Sequence, residues 1–141
     1  MVHESGAQLD PHATASGLAY LAFADPQAQA RCLSLPMTSY SAATPVDMPM
    51  LQARLDATRA CGHAIGDGTF DPEVFGIGAP IFGPDEYAIG AVAVATPLSR
   101  MTPQLCARIA AATVTAALRA TAIEGGRVPG HYHSIIRTLR A

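Results

Sequence analysis

Three cysteines, five histidines and a short run of carboxylates are the side chains in this sequence that could carry chemistry. Cys32, Cys61 and Cys106 are far apart, with no Cys-x-x-Cys pair. An odd, unpaired set of this kind reads as reduced thiols of an intracellular protein. Cys61 and Cys106 fall on the expected inner faces of helices, where thiols are commonly buried and inert. A cysteine-based redox enzyme is therefore the alternative reading. His131 and His133 have His-x-His spacing but no Cys or carboxylate beside them, so a solvated tail accounts for them better than a metal site does. Asp67, Asp71 and Glu73 precede a strand and read as a solvated turn. No nucleophile elbow, phosphate loop or dinucleotide fingerprint is present. The residues thus assign no catalytic group, no metal and no cofactor.

A different pattern points to binding. In the strand expected over Phe75 to Phe82, alternation puts Gly76, Gly78 and Pro80 on one face and Phe75, Ile77, Ala79 and Ile81 on the other. In the strand expected over Tyr87 to Ala95, Tyr87, Ile89, Ala91, Ala93 and Ala95 share a face. A turn centred near Pro84-Asp85 sets Gly76 opposite Ala93 and Gly78 opposite Ala91. Glycines facing alanines leave a hollow in a sheet, and glycine inside a strand marks close approach by a ligand or by another backbone. The strand pattern leaves both occupants open, a small molecule or a tightly packed helix.

The elements that would position this hollow follow from caps and breakers. A polar lead over residues 1–11 precedes a helix from His12 to Phe23. Asp25-Pro26 caps a second helix ending near Leu35, and residues 37–46 form an irregular loop. A third helix runs from Asp47 to Cys61 with Leu51, Leu55 and Thr58 inward, and Gly62 ends it. His63 to Gly66 is a short strand, followed by the hairpin. Thr102-Pro103 opens the longest helix, which reaches Ile123 with Cys106, Ile109, Ala110, Val114, Ala117 and Leu118 facing inward. The order gives an α+β fold with helices on an antiparallel sheet.

Bulk properties restrict the function. Half of the 141 residues are hydrophobic and 14% are charged, which suits one globular domain. Nine basic residues against 11 acidic ones leave a formal charge of −2, without the basic face of a nucleic-acid binder. The sequence reads as having no secretory signal and no apolar stretch long enough for a bilayer, which implies a cytoplasmic protein without membrane contact.

The run from Thr69 to Phe82, TFDPEVFGIGAPIF, resembles the signature strand of IclR-type effector domains. Ala91 to Pro97 is similar to that family's next strand, His12 to Ala22 to its early helix, and Leu51 to His63 to the helix before the signature strand. The likeness spans residues 7–126. It implies a GAF-like curved antiparallel sheet flanked by helices and lacking the first strands of the full domain, with residues 127–141 as a tail or short peripheral helix. It further implies a non-enzymatic sensor that binds a small-molecule effector and assembles as a homodimer or homotetramer. DNA would be reached only through a helix-turn-helix segment not found in this chain. Effector contacts in the family correspond to Ala15, Ser16, Gly66, Gly76, Ala93 and Ala95; His12, at a helix start where capping or core packing accounts for it more simply, is a further candidate contact. Hydroxyls, a thiol and a carboxylate that hold small oxo-acids in the family are replaced here by Ala93, Ala95, Gly76 and Gly66. That departure implies a roomier pocket for a hydrophobic or aromatic metabolite, with Ser16, His12, Thr14 or Asp67 supplying polar contacts. A ligand-free oligomerisation module is a further alternative.

Overall fold

A computed structural model describes residues 10–140. Of the polar lead expected at the N-terminus, all but the last two residues lie outside the described part. The elements are α1 (Ala15–Phe23), α2 (Pro26–Leu33), α3 (Met48–Cys61), β1 (Ala64–Asp67), β2 (Val74–Phe82), β3 (Ala88–Pro97), α4 (Pro103–Ile123) and α5 (Gly130–Arg140), with a short 3-10 turn at Leu98–Arg100. The strands form an antiparallel sheet in the order β1-β2-β3. This is an α+β fold.

Side-chain caps explain where four helices begin. The Thr14 hydroxyl accepts from the Gly17 amide at 3.0 Å, Asp25 from Ala28 at 2.9 Å, Asp47 from Met50 at 2.9 Å and Thr102 from Leu105 at 3.1 Å. Each satisfies an amide that the first helical turn leaves without a partner. The first helix thus starts at Ala15, three residues later than expected, because Thr14 caps it and His12 lies in the preceding turn. Gly62 ends α3 at φ 85°, a left-handed conformation that favours glycine.

The hairpin register differs from expectation by two residues. Gly76 pairs with Ala95 and Gly78 with Ala93. Two features account for the shift. The connection is a five-residue loop closed by the Gly83 amide donating to the Tyr87 carbonyl, with Glu86 at φ 69°. Between the Phe82–Ala88 and Ile81–Gly90 pairs, Ile89 bulges out of the ladder. An even shift preserves the faces, so the glycines still oppose alanines.

Helices cover both faces of the sheet. On one, α1 crosses β2 at Gly78, where a Cβ would stand 2.5 Å from the Ala15 carbonyl oxygen. On the other, Ala110 of α4 packs against Phe75 and Ile77. The main core joins Leu18 and Leu21 of α1, Leu51 and Leu55 of α3, Phe82, and Val114 and Ala117 of α4. Residues 130–140, read as a tail or peripheral helix, form α5, and this helix contributes to the core. Tyr132 is buried, meets Phe23 and Phe82 edge-on at centroid distances of 5.3 and 5.0 Å, and donates to the Gly62 carbonyl at 2.6 Å. The expectation that no stretch could span a bilayer needs correction. By length and composition, the 21 residues of α4 qualify, although core helices of soluble proteins pass the same test.

Candidate functional site

Beside the point where α1 meets the sheet lies a cavity of about 310 Å³. The helix start (Ala13 to Ser16) forms one side of it. Gly66 of β1, Val74 and Gly76 of β2, and Ala93 to Ala95 of β3 form the other, and Thr69, Phe70 and Asp71 close one end. Small residues create this space. A Cβ on Gly76 would reach 3.1 Å from the Ala15 methyl, and one on Gly66 would reach 3.1 Å from the Thr69 hydroxyl and 3.3 Å from the Ala15 amide. The α1 backbone fills the sheet hollow at Gly78, whereas at Gly76 only the Ala15 methyl approaches and the residue lines the cavity.

Six of the seven residues singled out in the sequence come together at this cavity: Ala15, Ser16, Gly66, Gly76, Ala93 and Ala95. His12 does not. Its ring is buried, its Nε2 lies 2.8 Å from the Thr38 carbonyl oxygen, and it stacks on Tyr40, which in turn meets Phe70. It supports a wall of the cavity from behind. Thr14 lines the space, whereas Asp67 is an exposed strand residue paired with Phe75. Thr69, Phe70 and Asp71 were missed as lining, although they begin the TFDP run; a turn folding over the end of a sheet has no periodicity to reveal it. The irregular loop serves as its brace. The Thr44 hydroxyl donates to the Thr69 carbonyl at 2.5 Å, and the Thr69 hydroxyl donates to the Ala13 carbonyl at 2.6 Å.

The polar equipment is sparse. The amides of Ala15 and Ser16 belong to the first turn of α1, and no acceptor meets them among the described residues. Together with the helix dipole they make that end of the cavity attractive to an anion. The Asp71 carboxylate, one oxygen of which accepts from the Glu73 amide at 2.9 Å, supplies acceptor capacity. The remainder is chiefly methyl, methylene and ring surface.

Chemistry elsewhere is limited. Among the described residues no group of three or more His, Cys, Asp or Glu side chains is arranged to hold a metal. His131 and His133 are exposed on α5. Cys32 and Cys106 are half-buried, and burial pushes both thiols up. Cys61 was expected on a buried stripe but is exposed, because it is the last residue of α3 and lies beyond the inward face of Leu51, Leu55 and Thr58.

Residues 1–124 match the family described as the bacterial transcriptional regulator IclR C-terminal domain. The chain is similar to the crystal structure of an IclR transcriptional regulator from Silicibacter sp. TM1040, with 38% identity and a TM-score of 0.83 over 93% of this chain and 52% of that one. It is similar to an IclR homologue from Microbacterium hydrocarbonoxydans complexed with 4-hydroxybenzoate, with 28% identity and a TM-score of 0.64 over 81% of this chain and 48% of the other. A double mutant of the inducer-binding domain of the transcription factor PobR from Acinetobacter, in complex with 3-hydroxybenzoic acid, shares the fold at 21% identity and a TM-score of 0.70, covering 82% of this chain and 67% of that one. The chain spans about half the length of the Silicibacter regulator. No curated protein sequence matches it.

Proposed function

The chain belongs to the IclR family of bacterial transcriptional regulators, through their C-terminal domain, and on that premise we propose that it is a non-enzymatic sensor whose cavity binds a single-ring aromatic acid. The observation that carries this reading is the glycine- and alanine-walled cavity beneath the start of α1. An apolar cavity of about 150 Å³ already accommodates benzene, so about 310 Å³ has room for a ring with polar substituents. The Ala15 and Ser16 amides suit the carboxylate, and the Asp71 carboxylate suits a hydroxyl donor. Two relatives bound to hydroxybenzoates support the same class of ligand. A small oxo-acid fits less well, because Gly66, Gly76, Ala93 and Ala95 offer it no side-chain partner.

In this reading the protein is cytoplasmic and works as a homodimer or homotetramer. Occupancy shifts the balance between conformations of the domain and so alters how attached or partner helix-turn-helix units meet DNA. The test is a thermal-shift screen of benzoates and hydroxybenzoates, followed by calorimetry. A ligand at a hundredfold excess over its Kd adds about 2.7 kcal/mol of stability, a readily measured rise in Tm. Gly76→Leu should fill the cavity and abolish that rise. Absence of any shift across the series, or an unchanged affinity in Gly76→Leu, would refute the assignment.

A further inference from the structure

Outside the cavity, one pair of side chains is arranged for covalent chemistry. Cys61 closes α3 and is exposed, and two residues later His63 lies in the bend just before β1, buried. The sulfur folds back over this turn. Sγ lies 4.0 Å from His63 Nε2, and the thiol donates to the His63 carbonyl at 3.1 Å. The other ring nitrogen, Nδ1, is buried without a hydrogen-bond partner among the described residues. The sulfur is thus the contact toward which the ring's polar edge is turned. We propose that Cys61 is a nucleophilic thiol, served by His63 as base and then acid, that adds to soft electrophiles of the α,β-unsaturated carbonyl class.

The step balances without any further reagent. The thiol proton passes to Nε2 as sulfur attacks the β-carbon, and the S–C bond forms while the C=C π pair moves onto the carbonyl as an enolate. The imidazolium then returns the proton to the α-carbon. No atom changes hands with a third party, and one nitrogen both removes and delivers the proton. Electrostatics favour the charge-separated pair. Burial raises the Cys61 thiol, but the hydrogen bond with the His63 side chain and the charge of that ring outweigh it and hold the thiol below its ordinary value. The bond to Cys61 outweighs burial at His63 and holds the imidazole above its ordinary value.

The neighbouring titratable groups do not compete for the proton. Tyr132 of α5 donates to Gly62, and burial, then the Cys61 charge, push both it and Cys106 of α4 up, so each is neutral at neutral pH. Arg59 of α3 is turned to the Ala22 carbonyl and Asp56. The proposal is independent of what fills the cavity.

The test is a time course of peptide mapping after the full chain is exposed to limiting cyclohexenone at neutral pH. Cys61 should be modified at least about tenfold faster than Cys32 or Cys106, because it is the one thiol of the three held down rather than pushed up. His63→Gln should slow Cys61 by about the same factor, leave the Cys32 rate unchanged, and move the inflection of the Cys61 rate to higher pH. A Cys61 rate no greater than that of Cys106, or one indifferent to His63→Gln, would overturn the proposal. Should His63→Gln fail to fold, the pH–rate profile of the unaltered chain decides. A Cys61 midpoint below those of Cys32 and Cys106 supports the pair, and an equal or higher one refutes it.

Discussion

The close approach of α1 to β2 can be probed by adding one methyl group at Gly78. An alanine Cβ there would stand 2.5 Å from the Ala15 carbonyl oxygen, 2.8 Å from its carbonyl carbon and 3.1 Å from the Ser16 nitrogen. All three are backbone atoms of a capped helix, so no rotamer change relieves the overlap. Overpacking of this kind costs about 1–3 kcal/mol, offset by about 0.5–1 kcal/mol because alanine is the better residue inside a strand. The net loss should lie between about 0 and 2.5 kcal/mol, or up to roughly 10 °C in Tm at about 4 °C per kcal/mol. The control lies two residues away on the same face. At Gly76 the same methyl meets the Ala15 methyl at 3.1 Å and no backbone atom nearer than the Gly66 carbonyl oxygen at 3.9 Å. It should change stability by less than about 1 kcal/mol while reducing the cavity. Urea unfolding of both variants, compared at equal m values, reads the difference. A Gly78→Ala variant more stable than the parent, or no less stable than Gly76→Ala, would mean that α1 does not rest on β2 as described, and the cavity wall would go with it.

Other expectations rest on buried hydrogen bonds and on charge. Thr121→Val should destabilise by about 1–3 kcal/mol in urea melts, because the Thr121 hydroxyl accepts from the buried Phe82 amide at 3.0 Å and the variant leaves that donor without a partner. Tyr132→Phe should cost about 1–2 kcal/mol by removing the donor to the Gly62 carbonyl while keeping the aromatic cluster, so near-ultraviolet circular dichroism should change little. The raised pKa of folded His63 contributes stability that is fully present below its unfolded value of 6.5 and is lost as pH rises through the folded value. The stability difference between the parent and His63→Gln should therefore shrink from acidic to alkaline pH across that window, and a difference that grows would contradict the pairing with Cys61.

The parts of this fold legible in the sequence are those written in local chemistry. Asp25, Asp47 and Thr102 mark helix starts through their side chains, and Gly62 marks an end through its backbone freedom. The alternation of Gly76 and Gly78 against Ala93 and Ala95 identified the face of the hollow even though the register was displaced. The displacement came from Ile89, whose bulge has no signature of its own in an apolar strand. Likewise Tyr132 looked peripheral because a short helix after Pro129-Gly130 carries no sign of the aromatic partners waiting for it at Phe23 and Phe82. For the cavity, the resemblance and the strand pattern reached its glycines, alanines and helix start. Thr69 to Asp71 escaped because their position depends on Thr44, twenty-five residues earlier, bonding the Thr69 carbonyl.

The bond from Tyr132 to Gly62 also bears on how the chain acquires its structure. It links residues 70 positions apart, and the aromatic cluster draws on α1, β2 and α5 together. Contacts of such long sequence separation form late, because the loop between them must be ordered first. During synthesis, α1 to α3 and the hairpin emerge long before α5, with Phe23 and Phe82 lacking their third partner. Final consolidation must await the C-terminal helix. A chain ended at Ile123 would keep every strand and yet remain at that unconsolidated stage, open to proteolysis and association.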